Sequence, residues 1–432
     1  MKRFLAVLLS VVMVASVASC GSNSGSSSQQ NPQAAEKKTV TIWRGVGTEG
    51  EEKLYNQEIS DFNAQSKNTT VKYETFPYND FGTTIRSAAA TNSLPEMLYM
   101  DGTEVANNAF SGTIVPITQY FDESFKSKFA ASAFSYYKKE LYGVAQQDGG
   151  LAFWANKSML DSAKVRIPTY EKPWTKDEFV SALEALKKVD GVDYPLDMEA
   201  ANGGGYIIYA WQPFIVSFGG DWYKKDTVTA AGALDSDATV GAVNFLKDLA
   251  QKGYWNAKET ATDSFIKKQA ALDLTGHWNY PSYKKALGGD LILVPLPDFG
   301  NGSQTAVGGL PFTVTSVAKQ KGTMQNCADF IKFALGDSYQ SALNDANGSL
   351  PVNKSILSSL AVFKEGGDLH LYAQQLAGGR FGVRPPSPAF PTFQQEVGTA
   401  VQNALAGADT KTELSSAAQK IDKVIADNHY NQ

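Results

Sequence analysis

Residues 40–100 read VTIWRGVGTEGEEKLYNQEISDFNAQSKNTTVKYETFPYNDFGTTIRSAAATNSLPEMLYM, and the rhythm of this stretch decides the fold. Val40-Thr-Ile-Trp43 is a short apolar run that predicts a strand. Thr48-x-x-Glu51 is a capping box, in which each residue's side chain satisfies the other's backbone N–H, and it predicts a helix running to about Gln65. Leu54, Ile59 and Phe62 are then expected to face inward. Val71-Lys-Tyr73 reads as a second strand, residues 78–91 as a second helix and residues 96–100 as a third strand. Strand and helix in alternation imply crossover connections and a mostly parallel sheet, so the fold class is α/β.

The rest of the chain repeats the pattern. Thr175-x-x-Glu178 is a second capping box, followed by Phe179, Leu183 and Leu186 on one stripe. Val240, Val243, Leu246 and Leu249 recur at helical spacing before Gly253. Two more helices are expected at residues 330–335, closed by Gly336, and 392–405, closed by Gly407. Cys327 shares a helical stripe with Met324, Ala328, Ile331 and Ala334, and is read as a buried small hydrophobe.

At 432 residues the chain is long enough for two domains. With 39 Lys and Arg against 44 Asp and Glu, the net charge of −5 offers no basic stripe, and no nucleic-acid partner is expected. The three histidines, His277, His370 and His429, stand far apart with no cysteine beside them. The common Cys/His zinc spacings are therefore excluded, and neither a metal nor a cofactor is expected.

Lys2 and Arg3 precede an apolar stretch at residues 4–14, too short to span a bilayer, and small residues lead to Cys20. Residues 1–19 are thus expected to be an export signal, and the sequence Val17-Ala-Ser-Cys20 resembles a bacterial lipobox, which would make Cys20 the lipid-bearing residue. Residues 20–38, rich in Ser, Gly and Gln, would be a flexible tether between the bilayer and the folded body.

Gly45-Val-Gly47-Thr-Glu-Gly50 matches a dinucleotide-binding fingerprint, with Glu74 at the end of a second strand. The capping box at Thr48 places the third glycine inside the first helical turn, and export takes the chain away from nicotinamide cofactors. A flexible loop at the strand's carboxyl end is the preferred reading. The sequence carries no G-x-S-x-G, H-E-x-x-H or P-loop motif. A glycosidase needs only two suitably spaced carboxylates, so an exported lipoprotein glycosidase stands as the alternative function.

A series of segments, taken in order, resembles the extracellular solute-binding proteins of ABC importers, in the carbohydrate-binding group that includes maltose-binding protein. Val40-Thr-Ile-Trp43, Ser93-Leu-Pro-Glu-Met-Leu-Tyr-Met-Asp101 and Ala109-Phe-Ser-Gly-Thr-Ile-Val-Pro-Ile117 open the series. Tyr142-Gly-Val-Ala145, Ala155-Asn-Lys157, Pro173-Trp-Thr175 and Phe218-Gly-Gly220 continue it. Lys268-Gln-Ala-Ala271, Gly276-His-Trp278, Val294-Pro-Leu-Pro297, Gly308-Gly309, residues 328–333, Leu350-Pro-Val352 and Arg384-Pro385 complete it. The departures are Glu96 for the usual Asp, Ala145 for a common Pro and Ala155 for a Tyr.

The resemblance implies a two-lobed periplasmic-binding-protein fold, each lobe a mostly parallel sheet flanked by helices. Residues 39–147 with 306–350 would form the first lobe and 148–305 with 351–432 the second, with crossings near 146–153, 298–306 and 348–354. It further implies a non-enzymatic receptor, expected to be monomeric, that closes on an oligosaccharide and presents it to the permease subunits. Sugars offer apolar C–H faces and a rim of hydroxyls, so aromatic walls and hydrogen-bonding side chains are sought. The ligand-binding candidates are Trp43, Asp101, Gln147, Asp148, Tyr209, Trp211, Trp278 and Arg384. Core packing is the alternative for each aromatic and helix capping for the two aspartates.

Overall fold

The capping boxes act where the sequence places them, in a computed structural model whose described residues are 37–430. The export signal, Cys20 and nearly all of the tether lie outside the described residues. β1 (Lys38–Gly45) leads into α1 (Glu49–Gln65), whose Thr48 side chain accepts from the Glu51 N–H while Glu51 accepts from the Thr48 N–H at 2.7 Å. β2 (Thr69–Phe76), α2 (Phe81–Ala90), β3 (Met97–Tyr99) and α3 (Val105–Phe110) follow. β1 pairs in parallel with β2 and β3, as the strand–helix alternation predicts. One expectation is corrected: α1 buries Glu51, Tyr55, Glu58 and Phe62, whereas Leu54 and Ile59 lie half-buried on its flanks. The two glutamates are tolerated inside because each accepts a side-chain hydrogen bond, from Asn347 and Gln146 respectively.

Eleven further strands complete the count among the described residues. They are β4 (Phe134–Tyr137), β5 (Glu140–Ala145), β6 (Gln147–Asp148), β7 (Leu151–Asn156), β8 (Leu196–Asp197), β9 (Leu272–Gly276) and β10 (Leu291–Val294), then β11 (Thr305–Ala306), β12 (Pro311–Val314) and β13 (Leu350–Pro351). The last is β14 (Phe381–Gly382), and the strands form two principal sheets and two two-stranded ones, β11-β14 and β13-β6. The first runs β2-β1-β3-β12-β5-β4 and the second β10-β7-β9-β8, so a strand from late in the chain is inserted into the first sheet. β12 enters antiparallel to both neighbours.

Each sheet has its own core. Val40, Ile42, Met97, Phe312 and Phe330 anchor one, and Phe153, Phe179, Leu183, Leu246 and Phe393 the other. Burying one such side chain stabilises the fold by about 1.5–3 kcal/mol. Cys327 lies in the first core as the sequence predicts, fully buried, and burial pushes its thiol up to about 12. The helices Phe390–Leu405 and Thr410–Asp427 pack on the second core.

The chain passes between the sheets three times. β5 of the first sheet continues through β6 into β7 of the second. β11, paired with β14, runs on into β12, a few residues later than the expected 298–306. The 298–302 loop packs beside the second core: the Asn301 N–H donates to the Ser217 carbonyl and the Phe299 ring stacks on Phe218 at 4.5 Å. The third passage is β13, which pairs antiparallel with β6.

Candidate functional site

β3 ends at Tyr99, and Asp101 follows two residues later, where its carboxylate caps a short helical turn by accepting from the Thr103 N–H at 2.9 Å and hydroxyl at 2.7 Å. The capping alternative is therefore real, and it leaves the other oxygen free to act. Asp101 Oδ2 accepts from Arg384 Nη1 at 3.0 Å. Asp101 follows β3 of the first sheet, while Arg384 lies over the Tyr209 ring at 4.6 Å, on the second core's side. The ion pair thus ties one lobe to the other. Burial alone would raise the Asp101 carboxyl, but the Arg384 guanidinium and the Thr103 donors outweigh it and hold it below its ordinary value. A second tie lies between Phe110 of α3 and Tyr430, whose rings meet edge to face at 4.8 Å.

Trp278 follows the carboxyl end of β9. Its six-membered ring lies against Gly276 so closely that a Cβ there would come within 2.1 Å of it. Only glycine leaves room for the indole beside this backbone, and the ring is half-buried. β8 runs parallel to β9, so both strands point toward the same edge of the second sheet. A carboxylate cluster, Asp197, Glu199 and Asp273, sits where β8 ends beside the start of β9, with Tyr206 against Tyr209 at 6.1 Å. Burial first and the neighbouring Asp197 charge second push the Glu199 carboxyl up to about 7. Burial and the charges of Glu199 and Asp197 raise the Asp273 carboxyl well above its ordinary value, and the Tyr283 hydroxyl donates to it at 2.5 Å. Among the described residues no group of His, Cys, Asp and Glu is arranged to hold a metal ion.

Three candidates are therefore brought together, Asp101, Arg384 and Tyr209, while Trp278 packs against the second core. Gln147 and Asp148 form β6 and are buried in the crossing. Gln147 Oε1 accepts from Asn347 Nδ2 at 2.8 Å, and the same amide nitrogen donates to Glu51 at 2.9 Å. Gln147 thus links β6 to Asn347 and, through it, to Glu51 of α1. Trp43 turns toward α2, its N–H donating to Glu74 at 2.7 Å and its ring packing on Phe76 at 4.8 Å.

Trp211 is a correction. It is 2 % exposed, packed edge-on against Trp255 at 5.9 Å, because it begins a helical turn whose apolar face closes the second core. The fingerprint at Gly45 also has a packing reason. A Cβ at Gly50 would come within 2.4 Å of the Ala346 carbonyl, so that glycine lets two helices approach. Sequence reasoning missed Glu199 and Tyr206, although an acidic pair, Asp197-Met-Glu199, before the glycine run 203–205 at a strand's end was available as a signal.

The profile of the bacterial extracellular solute-binding proteins matches residues 57–367. The chain belongs to this family. A relative from Streptomyces coelicolor, the diacetylchitobiose-binding protein DasA, is 22 % identical over 379 residues, covering 83 % of this chain and 84 % of that one. Among solved structures, the maltose/maltodextrin-binding domain of MalE from Bdellovibrio bacteriovorus, bound to maltotriose, aligns with a TM-score of 0.77 at 19 % identity. It covers 90 % of this chain and all of that one. A Listeria monocytogenes substrate-binding protein in complex with cycloalternan gives a TM-score of 0.78 at 16 % identity, with 90 % and 100 % covered. These alignments establish the two-lobed α/β fold for this solute-binding protein. Among its described residues no helix is long and apolar enough to cross a membrane.

Proposed function

We propose that this solute-binding protein captures a neutral oligosaccharide between its lobes and delivers it to the permease of an ABC sugar importer. The observation that carries the reading is the set of side chains where the two lobes meet. Asp101 and Arg384 bring hydrogen-bonding groups from opposite sides, with Tyr209 under the guanidinium as an aromatic face, and Trp278 is proposed as a second one. This pairing of flat apolar walls with oriented polar groups suits a sugar's two kinds of surface. The relatives support it, one named for diacetylchitobiose and two solved with maltotriose or cycloalternan. Closure follows from the ligand binding the closed form better than the open one.

Residues 39–147 with 306–350 form the first lobe and 148–305 with 351–432 the second in this proposal, supported by the insertion of β12 into the first sheet. The protein works as a monomer on the outer face of the membrane, exported by residues 1–19 and held through lipid on Cys20, a reading supported by the small residues before that cysteine. Isothermal titration against diacetylchitobiose, maltotriose, raffinose and cycloalternan tests the function. At least one should bind at micromolar affinity or tighter and be recovered unchanged by chromatography. Binding of amino acids or peptides with none of the sugars would overturn it.

A further inference from the structure

The carboxyl edge of the first sheet carries an aromatic residue that is not among the sequence candidates. β1 and β2 pair in register from Lys38 with Thr69 to Gly45 with Phe76, so their carboxyl ends lie side by side. Asp101 follows β3, which pairs with β1 on its other side. Open α/β sheets bind their ligands outside the carboxyl ends of the strands. Pro77 follows β2 there, and Tyr78 opens a helical turn, Tyr78–Asp80, that leads into α2. The edge of its ring rests on Gly45, where a Cβ would stand 2.6 Å from Tyr78 Cδ2. Tyr78 therefore rises from the same edge as Asp101, the edge that the ion pair to Arg384 crosses.

Exposure singles the residue out. Among the described residues the exposed large apolar side chains are Val46, Tyr78, Phe110, Tyr136 and Val383. Three of the five stand beside that crossing: Val46 follows β1, Tyr78 follows β2 and Val383 immediately precedes Arg384. Apolar surface gathered in one exposed place is the mark of an interaction site. Tyr78 is 50 % exposed, yet protein crowds its hydroxyl from both sides. Burial first and the Asp101 charge second raise that hydroxyl above its ordinary value, whereas the Arg384 guanidinium pulls it back, with Tyr209 and Glu51 adding to the rise. A ring on a convex surface would be exposed without such neighbours. One that lines a cleft is both wet and surrounded.

The other aromatic candidates are already engaged. Tyr209 carries the Arg384 guanidinium over its ring, and Trp278 packs against the second core. Among the described residues no ring or cation stacks on Tyr78, and its hydroxyl makes no hydrogen bond with them. An aromatic face held at one edge, free of partners and close to hydrogen-bonding groups suits the C–H face of a pyranose, whose hydroxyls can then meet the polar groups beside it. We propose that Tyr78 is the first lobe's stacking platform for the ligand and selects pyranose rings over open-chain polyols, which offer the same hydroxyls without a flat apolar face. The inference rests on the oligosaccharide reading and adds to it the residue that recognises the ring. Tyr78 and Tyr209 stand on different lobes, so a sugar that touches both is held better by the closed form.

Two variants separate the aromatic face from the hydroxyl and from packing. The probe is whichever of diacetylchitobiose, maltotriose, raffinose and cycloalternan binds the native protein most tightly in titration calorimetry. Tyr78→Leu keeps an apolar side chain against Gly45 but has no flat face, and should weaken that binding at least about tenfold. Its melting temperature should stay close to that of the native protein, because the position is half exposed. Tyr78→Phe keeps the face and loses the hydroxyl, and should bind within about threefold of native. Native affinity in Tyr78→Leu would overturn the platform. So would a loss in Tyr78→Phe as large as that in Tyr78→Leu, which would assign the contact to the hydroxyl. A native protein that binds none of the four sugars sinks the oligosaccharide reading and this inference together, whereas a native binder with an indifferent Tyr78→Leu sinks this inference alone. A crystal structure with the bound sugar should place a pyranose face within about 4 Å of the Tyr78 ring. A sugar seated between the lobes without touching Tyr78 would contradict the assignment.

Discussion

Removing Arg384 should open the ligand-free protein, and the structure sets the size of the effect. Asp101 Oδ2 and Arg384 Nη1 are 3.0 Å apart, with 27 and 10 % of the side chains exposed. At an effective dielectric constant of about 20, their Coulomb attraction is at most about 5.5 kcal/mol, before desolvation is subtracted. Breaking a fully buried pair by removing one partner costs roughly 3–5 kcal/mol. The exposure of Asp101 reduces that here to roughly 2 kcal/mol. Opening the hinge returns the stranded carboxylate to water, so the cost falls on the closed form alone. About 2 kcal/mol is a shift of roughly 30-fold in the ratio of open to closed molecules. Arg384→Met keeps packing on Tyr209 while deleting the charge, and Asp101→Asn deletes the other. Small-angle scattering of each ligand-free single variant should show a larger radius of gyration than the native protein. The double variant should recover most of the change, because neither orphan charge remains. Superimposable scattering curves for native and single variants, with a coupling energy under about 0.5 kcal/mol, would refute the interlobe tie.

Other expectations follow from individual residues. Trp278→Ala should weaken sugar binding at least tenfold, about 1.4 kcal/mol, with little change in melting temperature, as titration calorimetry and scanning calorimetry can report. Trp211→Ala should cost roughly 3–5 kcal/mol of stability, read by urea denaturation, while Trp211→Phe keeps sugar affinity within about twofold; a binding-specific loss in the phenylalanine variant would place Trp211 back in the site. Burial pushes the Glu58 carboxyl up to about 8, above its ordinary value near 4.5. The folded protein therefore keeps a proton that the unfolded chain sheds. That contribution to stability is complete below about pH 4.5 and is lost as the pH rises through 8. Urea midpoints measured from pH 5 to 8.5 should fall in the native protein and flatten in Glu58→Gln.

The local signals were the legible part of this fold. Thr48 and Thr175 with their paired glutamates fix two helix starts by chemistry confined to four residues, and both boxes form. The βαβαβ order at the start of the chain fixes a parallel core for the first sheet, because short-range connections leave few alternatives. β12 was not legible as a member of that sheet, since its partners β3 and β5 lie far away in sequence. Among the candidates, Asp101 was proposed from its place after a strand and Trp278 from its polar neighbours. Trp211 could not be told from them, because a tryptophan's fate depends on which side of a helical turn meets the core. Glu199 was missed because its raised carboxyl arises from Asp197 and from burial beside Asp273, which lies in a different strand.

Closure on a sugar can be watched directly with spin labels on exposed positions of the two lobes, at Lys72→Cys and Lys188→Cys, measured by double electron–electron resonance. Saturating neutral oligosaccharide should collapse the distance distribution to a single narrow, shorter population, and amino acids should leave it unchanged. A distribution that stays put while the sugar is bound, or that narrows for peptides and never for sugars, would contradict the account.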